Sequence, residues 1–210
     1  MLFHGKRPPI AAEYTKYPVP LRRINPLSEI EATAAYELLK DSNNIAAYGE
    51  ADKNYPSAVC YYQAPFLTDT AAAVKRHISP FLDYDIVETY CYARLYGMGD
   101  KLKIHVDRGA CFISVSICFG YDYNNLFTDG ARWPIGTLAD DGEGGEREEL
   151  FDLKPGEGIL YPGCLAPHWR DVFLGQNCGQ AFFHYVPAAE QTFGEYFGDV
   201  GPGGRGGWAT

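Results

Sequence analysis

At 210 residues, 46% hydrophobic and 15% aromatic, the chain is long and apolar enough to bury a sizeable core within one globular domain. A formal net charge of −9 speaks against a nucleic-acid partner, because a footprint along a phosphate backbone relies on clustered Lys and Arg. No apolar run reaches bilayer-spanning length and the N-terminus lacks the apolar core of a signal peptide, so the expectation is a cytoplasmic protein without membrane contact.

Residues 1 to 27 are rich in Pro and show no helical period, which predicts an extended arm. Ser28 is placed to cap a helix with Glu29 and Glu31 in its first turn; Ile30, Ala34 and Leu38 supply an apolar stripe through Lys40, and Asn43-Asn44 ends it. Ala58 to Tyr62 predicts a strand, with Tyr61 or Tyr62 facing a cavity. Thr68 or Asp69 then caps a second helix through Ile78, stopped by Pro80. Helices followed by a run of strands give an α+β order, with N-terminal helices buttressing one face of a β-domain.

From Asp85 onward the pattern changes to short strands, near 86–96, 101–107, 111–119, 150–153, 157–162, 167–173 and 179–186, with Gly and Pro in the gaps. That number of strands suits a double-stranded β-helix, or jelly roll, filling one domain over residues 1–197. Residues 120–149 read as a long lid-like insertion with Trp133 at its middle and an acidic run at its end. Residues 198–210 read as a flexible Gly-rich tail. Cys60, Cys91, Cys111, Cys118, Cys164 and Cys178 are scattered without a Cys-x-x-Cys pair and are expected to be reduced, mostly core-packing thiols.

The chemistry concentrates in Arg94 to Asp107. In an extended strand side chains alternate, so His105 and Asp107 project to one side. His168, after the Pro155-Gly156 turn and a short apolar strand, offers a third ligand. Two His and one carboxylate form the facial triad that holds non-haem Fe(II) and leaves coordination positions open. Taken singly, each His reads more simply as a hydrogen-bonded core or surface residue. The spacing of the three, with a Gly-x-Gly turn ahead of the first pair and a Pro-Gly turn ahead of His168, carries the stronger reading.

On Arg94 to Asp107 and Leu153 to His168 the chain resembles the 2-oxoglutarate- and Fe(II)-dependent dioxygenases, particularly their prolyl-hydroxylase-like and AlkB-like branches, over roughly residues 85 to 186. The resemblance implies Fe(II) as cofactor, 2-oxoglutarate as cosubstrate and O2 as co-reactant. It also implies oxidative decarboxylation to succinate and CO2 and hydroxylation of a peptide, a protein side chain or a small metabolite. Asp107 at the carboxylate position argues against a halogenase.

One position departs from the family. The buried distal carboxylate of 2-oxoglutarate needs a cation and hydrogen-bond donors, usually from an Arg or Lys about a dozen residues past the second His. Gln180 stands there, and no Arg or Lys occurs between Arg170 and Arg205. The expected replacement is Arg94, which shares a strand face with Tyr96; next comes Arg170, then Arg108, with Gln180 and Tyr96 adding neutral hydrogen bonds. An ordinary ion pair competes as the explanation of each Arg. Lys103, Trp133 and His184 are candidate substrate contacts, against the plainer readings of rim ion pair, loop anchor and core histidine. Two other classes fit the same residues: a cupin-like metalloenzyme that dispenses with 2-oxoglutarate, and a non-catalytic metal-binding domain.

Overall fold

The structure, a computed structural model, describes residues 16–52, 55, 57–123, 132–140 and 146–189. The first 15 residues of the predicted arm, parts of the predicted insertion (124–131 and 141–145) and the predicted tail lie outside the described residues. In chain order the elements are β1 (Arg22–Ile24), α1 (Glu29–Lys40), α2 (Ser42–Tyr48), β2 (Glu50–Ala51), β3 (Val59–Tyr62), α3 (Thr68–Ile78), β4 (Ile86–Gly97), β5 (Leu102–His105), β6 (Ile113–Asp122), β7 (Ile135–Asp140), β8 (Glu146–Phe151), β9 (Gly158–Tyr161), β10 (His168–Arg170) and β11 (Asn177–Pro187).

The strands form a seven-stranded sheet, β1-β9-β6-β11-β4-β3-β2, and a four-stranded sheet, β5-β10-β7-β8. Paired strands are antiparallel, and the two sheets make the jelly roll of a double-stranded β-helix. Alternation along the three central strands of the larger sheet separates its two faces. Cys91, Ala93 and Leu95, Val115, Ile117 and Phe119, and Ala181, Phe183 and Tyr185 pack with Leu39, Val74 and Ile78 of the helices in one apolar cluster. The residues between them include Tyr92, Arg94 and Tyr96, Ser114 and Ser116, and Gln180, Phe182 and His184. Arg94, Ser114, Ser116, Gln180 and His184 are buried polar side chains. Burying polar groups is costly unless they find partners, so a polar interior marks where ligands belong.

Helix α1 opens as a capping box: Ser28 Oγ accepts from the Glu31 N–H at 3.3 Å, and the Ser28 N–H donates to Glu31 Oε2 at 2.8 Å. Its buried face is Ala32, Ala35, Tyr36 and Leu39, not the expected Ile30, Ala34 and Leu38; Ile30 is 83% exposed. Docking decides the face. The Tyr36 ring lies over Gly120 and Gly179, where an added Cβ would come within 2.6 and 2.5 Å of it. Asn43 and Asn44 belong to α2 instead of ending α1, because Asp41 is extended and its carboxylate accepts from the Asn43 N–H at 2.7 Å.

The predicted 120–149 insertion is corrected in its described part. β7 and β8 pair with each other and complete the smaller sheet, with β7 paired to β10 through Thr137 and His168. The strand pattern was hidden because β8 is an edge strand of charged residues, largely exposed, without an alternating apolar face. In β7, Gly136 interrupts the run where the Trp169 ring approaches too closely for a Cβ.

Candidate metal centre

β5 and β10 are neighbours, and His105 and His168 pair directly across them with ring centroids 4.2 Å apart. Each ring is oriented from behind. His105 Nδ1 lies 2.9 Å from the Lys103 carbonyl and His168 Nδ1 lies 3.0 Å from the Ala166 carbonyl. A carbonyl only accepts, so each Nδ1 carries the proton and each Nε2 keeps its lone pair for the centre. β5 ends at His105, and Asp107 is held instead by its backbone N–H, which donates to the Gly163 carbonyl at 2.9 Å. Asp107 Oδ1 then sits 3.6 Å from His105 Nε2 and 3.7 Å from His168 Nε2. One ligand atom from each of the three residues falls within 4.8 Å of the others.

The charge state suits a divalent cation. Burial pushes the Asp107 carboxyl up, but the imidazoles of His168 and His105 outweigh it and hold the group well below the usual carboxylate range. Burial, reinforced by His105, pushes His168 down to about 4, so it is a neutral donor. The result is one carboxylate and imidazole lone pairs converging on one point, the donor set of non-haem Fe(II).

Two residues along β10 from His168 stands a buried cation, and buried hydroxyls stand on β6 and β7. Arg170 is 2% exposed; its Nη1 donates to the Trp133 carbonyl and its Nη2 to Gln180 Oε1 at 3.1 Å. Among the described residues no carboxylate forms an ion pair with it. Arg170 Nε, Ser116 Oγ and Thr137 Oγ1 are buried without a hydrogen-bond partner. Such groups cost about 1–3 kcal/mol each when left unmatched. A cation with spare donors and orphaned hydroxyls fits a ligand carboxylate, so the residues present suit a keto diacid chelating the centre.

No family model matches the chain, and no curated protein does. Solved structures do. A prolyl-4-hydroxylase from Pseudomonas putida superposes with a TM-score of 0.59 at 13% identity, covering 85% of this chain and 97% of that one. HygX from Streptomyces hygroscopicus, with nickel, 2-oxoglutarate and hygromycin B bound, gives 0.59 at 10% identity over 85% and 86%. A prolyl hydroxylase from Trichoplax adhaerens, in complex with a hypoxia inducible factor peptide fragment, gives 0.58 at 12% over 79% and 83%. The fold is that of the 2-oxoglutarate- and Fe(II)-dependent oxygenases.

Within that fold the sequence-expected residues take different places. Arg94 is buried, and its Nη2 forms a buried ion pair with Asp52 at 2.7 Å. It also contacts Cys60 Sγ at 3.1 Å, the Tyr96 hydroxyl at 2.8 Å and the rings of Tyr55, Tyr92 and Tyr96. The Asp52 carboxylate offsets its charge. Arg108 lies over the Tyr90 ring at 4.8 Å. Trp133, expected to cover substrate, is 3% exposed and packs between Tyr96 and Phe173, with its indole N–H on the Asp171 carbonyl; burial keeps it from solvent. Lys103 is exposed beside His105. His184 is buried against Tyr90 and Tyr92, pushed down to about 4 by burial, and therefore neutral.

Sequence reasoning missed Ser114, Ser116, Thr137, Gly163 and Asp52. The serines carried a signal: Ser114-Val115-Ser116 places two hydroxyls on one face of an otherwise apolar strand. Asp52 carried none.

Proposed function

We propose that the protein is a 2-oxoglutarate- and Fe(II)-dependent oxygenase, with hydroxylation of a peptide, a protein side chain or a small metabolite as its reaction. The observation that carries this reading is the Asp107 Oδ1 facing both pre-oriented Nε2 atoms at 3.6 and 3.7 Å, with the Arg170 donors two residues along β10 from His168. His105, Asp107 and His168 hold the iron. Arg170, on the smaller sheet and facing Gln180 at the family's usual anchor position on the larger one, takes the distal carboxylate of 2-oxoglutarate. Gln180 orients the guanidinium, and Ser116 and Thr137 supply neutral hydrogen bonds. This ranks Arg170 above Arg94, since a cation already neutralised by a buried carboxylate has little charge left to offer.

When bound, the iron and keto acid supply O2 activation coupled to oxidative decarboxylation. The chain's own part is to fix the ligand tautomers, to hold the cosubstrate's far end and to keep water from the interior. Lys103 and Tyr62, which packs 5.3 Å from Tyr92 at a half-buried position, are the substrate-side candidates. A peptide or small-molecule partner fits; nucleic acid does not suit a charge of −9. Six buried cysteines, none in a disulfide, suit a reducing cytoplasm.

The test is calorimetric titration of anaerobic Mn(II)-loaded protein with 2-oxoglutarate. Binding should require the metal, vanish in His105→Ala, and weaken at least about tenfold in Arg170→Gln, a loss of roughly 1.4 kcal/mol. Arg94→Gln should instead lower thermal stability, because the buried Asp52 carboxylate loses its counter-charge. Metal uptake without cosubstrate binding would move the assignment to a metalloenzyme that does not use 2-oxoglutarate. Unchanged affinity in Arg170→Gln would return Arg94 to the anchor role.

A further inference from the structure

The two oxygens of Asp107 have different surroundings. Oδ1 faces His105 Nε2 and His168 Nε2, while Oδ2 receives the Ser114 hydroxyl at 3.3 Å. That hydroxyl also lies 3.1 Å from the Cys111 carbonyl and 3.0 Å from His184 Nδ1. Ser114 and His184 are directly paired residues of β6 and β11, so their contact is built into the register of the larger sheet. The ligands His105 and His168 stand on the smaller sheet. Ser114 therefore ties the carboxylate across the interior.

The direction of the Ser114–His184 contact follows the His184 tautomer, and the charge on Asp107 favours the Nδ1–H form, which leaves the serine proton for the carboxylate. A hydroxyl has one proton and two acceptor sites. With His184 Nδ1–H donating into Ser114 Oγ, the serine proton is aimed at the opposite side, toward Asp107 Oδ2 and the Cys111 carbonyl. The carboxylate is the charged and therefore stronger acceptor of the two. On the remaining side of Oδ2 stands Gly163, where a Cβ would lie 2.6 Å from that oxygen and would also collide with Ser114 Oγ. Oδ2 is thus hemmed in by a hydroxyl and by backbone.

We propose that Ser114 and His184 are positioning residues that hold Asp107 Oδ2 away from the ion, so that the carboxylate binds through Oδ1 alone. The proposal rests on the metal-centre reading above. A carboxylate released from Ser114 can turn both oxygens to a divalent ion, as carboxylates do in other sites. The second oxygen would then take a coordination position that the facial triad otherwise leaves open for cosubstrate. His184, Cys111 and Asp107 also bring one donor atom each within 4.8 Å. The contact with Ser114 occupies His184 Nδ1, while its Nε2 is buried without a hydrogen-bond partner, and the variants below separate a positioning task from a ligand's.

Anaerobic titration of the full chain with Co(II), read by its visible d–d absorption, reports affinity and coordination number without turnover. Wild type should take up Co(II), and His105→Ala should not. Ser114→Ala should bind about tenfold more weakly, at the lower end of the loss typical for residues that support metal ligands, with an altered d–d band and unchanged far-UV dichroism. Ser114→Thr should restore both. His184→Gln, which keeps the hydroxyl, should shift the band in the direction of Ser114→Ala and decides the question if that variant loses its fold. Wild-type affinity and spectrum in both Ser114→Ala and His184→Gln would overturn the proposal and leave the metal centre standing. So would a His184→Gln variant that loses Co(II) as completely as His105→Ala, since His184 would then be a ligand. No Co(II) uptake by wild type, or full uptake by His105→Ala, would overturn the centre itself.

Discussion

His184 shows how far a single residue's surroundings can be turned into a measurement. Its imidazole is 2% exposed, and burial pushes it down to about 4 from an ordinary 6.5. The folded state therefore favours the neutral ring, while the unfolded chain takes up a proton as pH falls below about 6.5. Stability contributed by this group is present above that pH and is lost as pH falls through about 4, by an amount on the order of 3 kcal/mol. Urea denaturation of metal-free protein at pH 7, 5.5 and 4 should show a smaller acid loss in His184→Gln than in wild type. Equal losses would mean that the ring is not held neutral. At this scale much of the site was legible. His105, Asp107 and His168 stood out by alternation and turn context, and the fold brings them to one point. The ranking of arginines was not legible, because Arg94 is neutralised by Asp52, a partner from a distant loop that no local rule connects to it.

Helix α1 makes the same point at the scale of an element. Its start was written locally: Ser28 caps, and Glu31 reciprocates from the first turn. Ser28→Ala should cost about 1 kcal/mol in unfolding free energy without changing metal or cosubstrate affinity, measured by urea denaturation and calorimetry. A loss of binding in that variant would show that α1 reaches the site in a way its packing does not suggest. Its buried face was not written locally. Two apolar stripes compete on the helix, and the one that wins presents Tyr36 to the gap above Gly120 and Gly179. β8 was missed for a related reason. An edge strand with one partner needs no apolar face, so its sequence keeps the charges that guard against aggregation and looks like a loop.

Across the whole molecule the two sheets are unequal. The larger is covered on its outer face by an apolar cluster that includes helices α1 and α3, and the smaller ends in the exposed strand β8. β11 is flanked over most of its length by both β4 and β6 and is buried at nearly every position. Amide hydrogen exchange should accordingly be slowest in β4, β6 and β11, near the global unfolding limit, and fastest in β2 and β8. Fast exchange in β11 would contradict the sandwich as described. Because His105 and His168 lie on the smaller sheet and Ser114 and His184 on the larger, an ion held at the proposed centre would also tie the two sheets together.

By itself, the sequence determined that helices precede the main run of strands, where several of the turns fall, and which three side chains carry a metal-binding pattern. Those features depend on period, turn chemistry and short spacing, which neighbouring residues control. Only the tertiary structure decided which face of α1 is buried, that residues 135–151 complete a sheet, which arginine keeps its charge available, and how Ser114 divides the two oxygens of Asp107. Each of these is a contest between partners far apart in the chain, and burial and pairing settle it only once the sheets have closed.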